Sequence, residues 1–165
     1  MSGLLKPSEA ATLAVHACGL LAAARGGRAL TTQEMAAAIG ASEAHLSKVL
    51  QRLSRAGIIA GRRGPRGGFR LTRAPSSVPL LRVYEAVDGS LPRGGCLLGV
   101  PRCPADSCPL QSLMAATSRR LAEGLSKVSV ADLGLSFAHR AVRATARTDG
   151  AGSRRMSTPV RRARR

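Results

Sequence analysis

The sequence predicts a mainly α-helical chain: a winged helix-turn-helix with a two-stranded wing, then a cysteine loop and a long dimerisation helix. Three observations lead there. Apolar residues recur at spacings of three and four along residues 43–56, two capped helical patterns meet at Gly40, and two short strand-like runs flank the Gly/Arg-rich stretch Arg63-Gly64-Pro65-Arg66-Gly67.

The first element is an Ala/Leu-rich helix over Ser8–Ala24, opened by Pro7 and a Ser8 cap and ended by Gly26-Gly27. Cys18 lies within it and reads as a small core hydrophobe. A capping box, Thr31-Thr32-Gln33-Glu34, starts the second helix, in which Met35, Ala36 and Ile39 face inward. Gly40 stops it, and Ser42 caps a third helix running to about Ala56. Leu46, Val49, Leu50 and Leu53 form an apolar stripe there, with His45, Lys48, Arg52 and Arg55 opposite. Ile58–Arg62 and Gly68–Thr72 are the strands of the wing.

Pro75–Pro79 reads as a linker, Leu80–Asp88 as a short helix whose Leu81, Val83, Tyr84 and Val87 pack back, and Gly89–Pro109 as the cysteine loop. Beyond it Leu110, Met114, Thr117, Leu121, Leu125 and Val128 recur at helical spacing, forming either a seam for a second subunit or an ordinary core face. After Phe137 nine Arg stand against one Asp with almost no bulky apolar residue, the composition of a disordered basic tail. The expected organisation is 1–75 for DNA binding, 76–136 for sensing and dimerisation, and 137–165 for the tail.

The net charge of +17 points to a polyanion, because Arg and Lys release condensed counterions when they meet phosphates. Arg supplies 23 of the 26 basic residues, a skew that coding bias also produces, but bias does not explain where the charges fall. No run of 18 apolar residues and no signal segment is present, so a cytoplasmic protein without membrane association is expected.

A helix-turn-helix needs a small residue where its helices approach, a glycine at positive φ in the turn and an apolar frame. Ala36, Gly40 and the set Met35, Ile39, Leu46 and Val49 meet those needs. Side chains near the start of the second helix of such a unit reach base edges in the major groove, which makes Ser42, Ala44, His45, Ser47 and Lys48 the candidate readers of a double-stranded DNA operator. Arg52 is the expected phosphate contact, and Arg62, Arg63 and Arg66 of the wing suit phosphates or a narrow minor groove.

Cys96, Cys103 and Cys108 fall within thirteen residues of a Gly/Pro-containing loop, which can converge three sulfurs without unmaking a helix. In a reducing compartment such a cluster suits metal or redox chemistry better than a disulfide framework. An iron–sulfur cluster, zinc and a metal-free thiol switch all use these ligands. Enzyme chemistry has little support: His16, His45 and His139 show no pairing with the loop, and no triad or phosphate-cradling motif is present. The competing reading is a constitutive basic DNA-binding protein with structural zinc or a thiol switch.

The segment Ala-His-Leu-Ser-Lys-Val-Leu-Gln-Arg-Leu-Ser-Arg-Ala-Gly-Ile (44–58), the wing Arg63-Gly64-Pro65-Arg66-Gly67-Gly68-Phe69-Arg70-Leu71 and the three downstream cysteines resemble the Rrf2 family of bacterial winged-helix transcriptional regulators over about residues 4–133. The resemblance implies a homodimer on a roughly palindromic operator. It also implies an iron–sulfur cluster, 2Fe-2S or 4Fe-4S, on Cys96, Cys103 and Cys108, acting as a sensor of redox state, nitric oxide or iron–sulfur supply. The family's commonly even cysteine spacing becomes six and then four intervening residues here. Where some relatives place a histidine ligand this chain has Gln111, a poor iron ligand; where others use a carboxylate of the partner's first helix it has Glu9. Glu9 equally suits the first turn of a helix as an acid.

Overall fold

The computed structural model describes residues 7–64, 67–91 and 108–137. Its helices are α1 (Glu9–Ala23), α2 (Thr32–Ile39), α3 (Glu43–Arg55), α4 (Leu80–Asp88), α5 (Pro109–Lys127) and α6 (130–137); its strands are β1 (Ile59–Arg62) and β2 (Gly68–Leu71). The architecture is the expected winged helix-turn-helix.

Ser8 caps α1 by accepting a hydrogen bond from the Ala11 N–H, and its own hydroxyl donates to Asp88 Oδ1 at the far end of α4. That bond fastens the start of α1 to the place where the chain leaves α4 for the cysteine segment. The small side chains of Ala11, Ala14 and Ala17 let α1 pack closely, and it lies against α2, α3, α4 and β2. Burial pushes the Cys18 thiol up to about 12, so it stays protonated and packs as a hydrophobe.

The capping box at α2 is complete: Glu34 N–H donates to Thr31 Oγ1 at 3.1 Å and Thr31 N–H donates to Glu34 Oε2 at 2.7 Å. Gly40 then takes φ 77°, a conformation that favours glycine, and turns the chain into α3. Leu46, Val49, Leu50 and Leu53 of α3 are buried with Met35, Ile59 and Val83. Each such side chain contributes about 1.5–3 kcal/mol relative to exposure, which fixes α3 by its apolar face and leaves the other outward.

β1 and β2 pair antiparallel with Ile59 opposite Leu71 and Arg62 opposite Gly68. Leu30 adds a bridge that the sequence pattern did not announce: its N–H donates to Phe69 O at 3.0 Å and its carbonyl accepts from the Phe69 N–H at 2.8 Å. The wing is therefore tied to the segment that enters α2.

The long helix lies where its apolar spacing placed it, and the chain beyond it holds an element that the spacing did not announce. α5 ends at Lys127, and Ser129 with Asp132 caps a separate helix, α6: Ser129 N–H donates to Asp132 Oδ2 at 2.8 Å. The break is pinned to the linker, because Leu80 N–H donates to Val128 O and Val130 N–H to Val78 O, with Val130 fully buried. The apolar stripe of α5 also divides. Met114 is buried and Leu125 partly buried against the core, whereas Leu110, Leu121 and Val128 are exposed, together with Leu113. The core-face alternative therefore describes only part of this helix.

Candidate DNA interface and cysteine sensor

On α3, Ala44 and Lys48 are exposed and His45 and Ser47 half-buried, so this part of the expected reading surface faces outward. Ser42 is committed in part to its own helix, its hydroxyl accepting the His45 N–H at 3.2 Å. Gln51 and Arg55 are exposed too. They continue the turn spacing from Ala44 and Lys48, a signal the sequence already held.

Arg52, the expected phosphate contact, also has a partner within the fold. One guanidinium N–H donates to Val87 O at 3.0 Å, so Arg52 ties α3 to the last turn of α4, where a cation meets unpaired helix carbonyls. The residue has four further donors, but this one is held inside the protein.

Arg62 and Arg63 are exposed on the wing, while Arg66 lies outside the described residues. A groove of about 460 Å³ runs between them and the start of α2, lined by Thr31, Thr32, Arg62, Arg63 and Phe69. A helix N-terminus and two guanidinium groups on one groove present positive potential and hydrogen-bond donors, the chemistry of a phosphate site. The α2 side of this groove was not among the expected interface residues, because it depends on the Leu30–Phe69 bridge.

Cys96 and Cys103 lie outside the described residues, whereas Cys108 is a half-buried free thiol immediately before α5. Among the described residues no group of three metal-ligating side chains gathers. Glu9 projects into solvent with its side chain 78% exposed, and its Oε1 lies 3.4 Å from His45 Nδ1. The expected fourth ligand thus touches an expected DNA reader. Nothing in the spacing of the two residues announced that contact, which depends on α1 and α3 packing side by side.

The donor chemistry suits an iron–sulfur group. Cys108 is half-buried, unlike the buried Cys18, and the largely exposed Glu9 carboxylate has His45 as its ion-pair partner among the described residues. Glu9 also stands beside Ser8, whose bond to Asp88 keeps this end of α1 at the point where the cysteine segment begins.

Comparison with known proteins places this geometry. The profile of a family described as Rrf2, iron-dependent transcriptional regulator, matches residues 8–134. Among individual proteins the chain is 35% identical to Protein aau3 of Rhizobium meliloti over 113 residues, 67% of this chain and 73% of that protein. It is 31% identical to the HTH-type transcriptional regulator IscR of Klebsiella pneumoniae over 57% of this chain and 58% of that one, so the match spans little more than half of that relative. Among solved structures, IscR of T. potens superposes with a TM-score of 0.66 at 25% identity, covering 83% of this chain and 90% of that one. CymR, the global cysteine regulator of B. subtilis, gives 0.67 at 21% identity over 80% and 98%, a likeness of fold alone.

Proposed function

The chain belongs to the Rrf2 family of transcriptional regulators, and from that premise we propose that it binds a specific operator as a homodimer and senses redox, nitric oxide or iron–sulfur status through an iron–sulfur cluster. The observation that carries the reading is the Glu9–His45 contact, since it joins the candidate sensor to the candidate reading helix.

Each part of the surface has a task. Ala44, His45, Ser47 and Lys48 read base edges, with Ser42 setting the start of their helix. Arg62 and Arg63 with the start of α2 hold phosphates, which orient the protein without reading sequence. Leu110, Leu113, Leu121 and Val128 meet the same residues of a second copy, because an exposed apolar row on a helix is covered in a two-fold dimer. Two recognition helices then address two half-sites about one helical turn apart. The protein acts in the cytoplasm; among the described residues no helix is long and apolar enough to cross a membrane.

Cys96, Cys103 and Cys108 would hold the cluster with Glu9 as fourth donor. When bound, the group supplies a redox-active and nitric-oxide-reactive centre. Glu9 has two alternative partners, the metal site and His45, and its choice decides whether His45 is held or free to face DNA. A change in the sensor therefore reaches α3 through a direct side-chain contact.

The test is selection of a binding sequence from random duplexes followed by footprinting. A protected site with two related half-sites is expected, and Lys48→Ala should weaken it by about 1–3 kcal/mol while leaving affinity for unrelated duplex nearly unchanged. Enrichment of no sequence would overturn specific recognition and favour the constitutive basic protein.

A further inference from the structure

A cavity of about 600 Å³ opens between the end of α4 and the middle of α5, and its lining includes Glu85, Leu91, Ala115, Ser118, Arg119 and Ala122. Its size falls within the usual range for small-molecule sites. One group in it is anomalous. Ser118 is 3% exposed and its hydroxyl has no hydrogen-bond partner, although a buried hydroxyl is normally satisfied.

We propose that this cavity binds a zwitterionic small molecule, an α-amino acid with a short aliphatic side chain. Arg119 and Glu85 supply opposite charges on one cavity, and neither is engaged in an ion pair among the described residues. The guanidinium is shaped for a carboxylate and the Glu85 carboxylate for an ammonium group. Leu91, Ala115 and Ala122 leave an apolar floor with room for a few methyl groups, and the Ser118 hydroxyl gains its missing partner from the ligand carboxylate.

The site is compatible with a dimer. At about 100° per residue, Ala115, Arg119 and Ala122 lie roughly 120–180° around α5 from Leu110 and Val128. The cavity and the exposed apolar row thus occupy different flanks of the helix.

The test is calorimetric titration of the full-length protein with L-valine, isovalerate and isobutylamine, the last two lacking the amine and the carboxylate respectively. One-site binding of valine is expected, with each half-molecule about tenfold weaker or worse because one charge-assisted hydrogen bond goes unmade. Arg119→Gln and Glu85→Gln should each weaken valine about tenfold or more. Ala122→Leu, which fills the floor, should remove binding without lowering Tm. Absence of valine binding overturns the proposal, as does valine affinity unchanged in all three variants. Isovalerate binding as tightly as valine would overturn the zwitterionic ligand and leave a carboxylate site.

Discussion

Replacing Gly68 by Ala tests the anchoring of the wing. Gly68 has φ +131°, a region that L side chains rarely adopt, and a Cβ there would stand 2.7 Å from Leu30 O and 2.8 Å from Leu30 C. The dihedral alone costs about 1–3 kcal/mol. The clash falls on backbone that cannot rotate away, so Leu30 must retreat from Phe69 and weaken two hydrogen bonds, of 3.0 and 2.8 Å. Each contributes about 0.5–1.5 kcal/mol net, giving a total of about 2–6 kcal/mol. At roughly 2–4 °C per kcal/mol for a chain of this size, Tm should fall by about 4–24 °C. Gly57→Ala is the control: φ is also positive, at 69°, but the added Cβ meets nothing within 4 Å, so only a dihedral cost of about 1–2 kcal/mol applies. Thermal unfolding followed by circular dichroism measures both. Equal losses for the two variants would refute the claim that the Leu30 bridge holds the wing, and the proposed phosphate groove built on it would lose its support.

Three further outcomes are expected. The hydrogen bonds from Thr31 N–H, the Arg28 guanidinium and the Thr31 hydroxyl hold the Glu34 carboxyl down at about 2 against its usual 4.5. A depressed folded pKa contributes stability above the unfolded value that is lost as pH falls through the folded one, so the Tm gap between wild type and Glu34→Gln should be constant above about pH 4.5 and close towards pH 2. A gap that widens on acidification would contradict the capping geometry. Arg52→Ala should destabilise the fold by about 1 kcal/mol as the bond to Val87 O disappears, lowering Tm by about 2–4 °C, with a smaller effect on DNA affinity. An unchanged Tm with a large drop in binding would make Arg52 a phosphate contact first. Removal of residues 138–165 should flatten the salt dependence of DNA binding, by up to about 0.9 in logarithmic slope for each phosphate that the tail neutralises, and keep operator preference. Loss of preference would give the tail a part in recognition.

The helix-turn-helix was legible because its signals are local. Thr31 and Glu34 lie three residues apart, Gly40 sits at its own turn, and the α3 stripe needs only helical period. The wing was legible for the same reason. Residues joined across the fold were not: Leu30 with Phe69, Arg52 with Val87 and Glu9 with His45 are each separated by 35 or more positions. Sequence period gives the face of a helix, but which element covers that face depends on tertiary packing. The Ser129–Asp132 cap was available locally, yet the apolar repeat ran up to Val128 and masked the break. Leu110, Leu121 and Val128 show the same limit, since repetition marked them as apolar but did not separate the outward row from the inward one.

The proposed iron–sulfur sensor is tested by measuring iron, acid-labile sulfide and zinc per chain in protein purified without oxygen, with the visible spectrum recorded on the same sample. Iron with matching sulfide and a charge-transfer spectrum are expected, both abolished in Cys103→Ser. Stoichiometric zinc, or no metal in protein that still binds its operator, would contradict it.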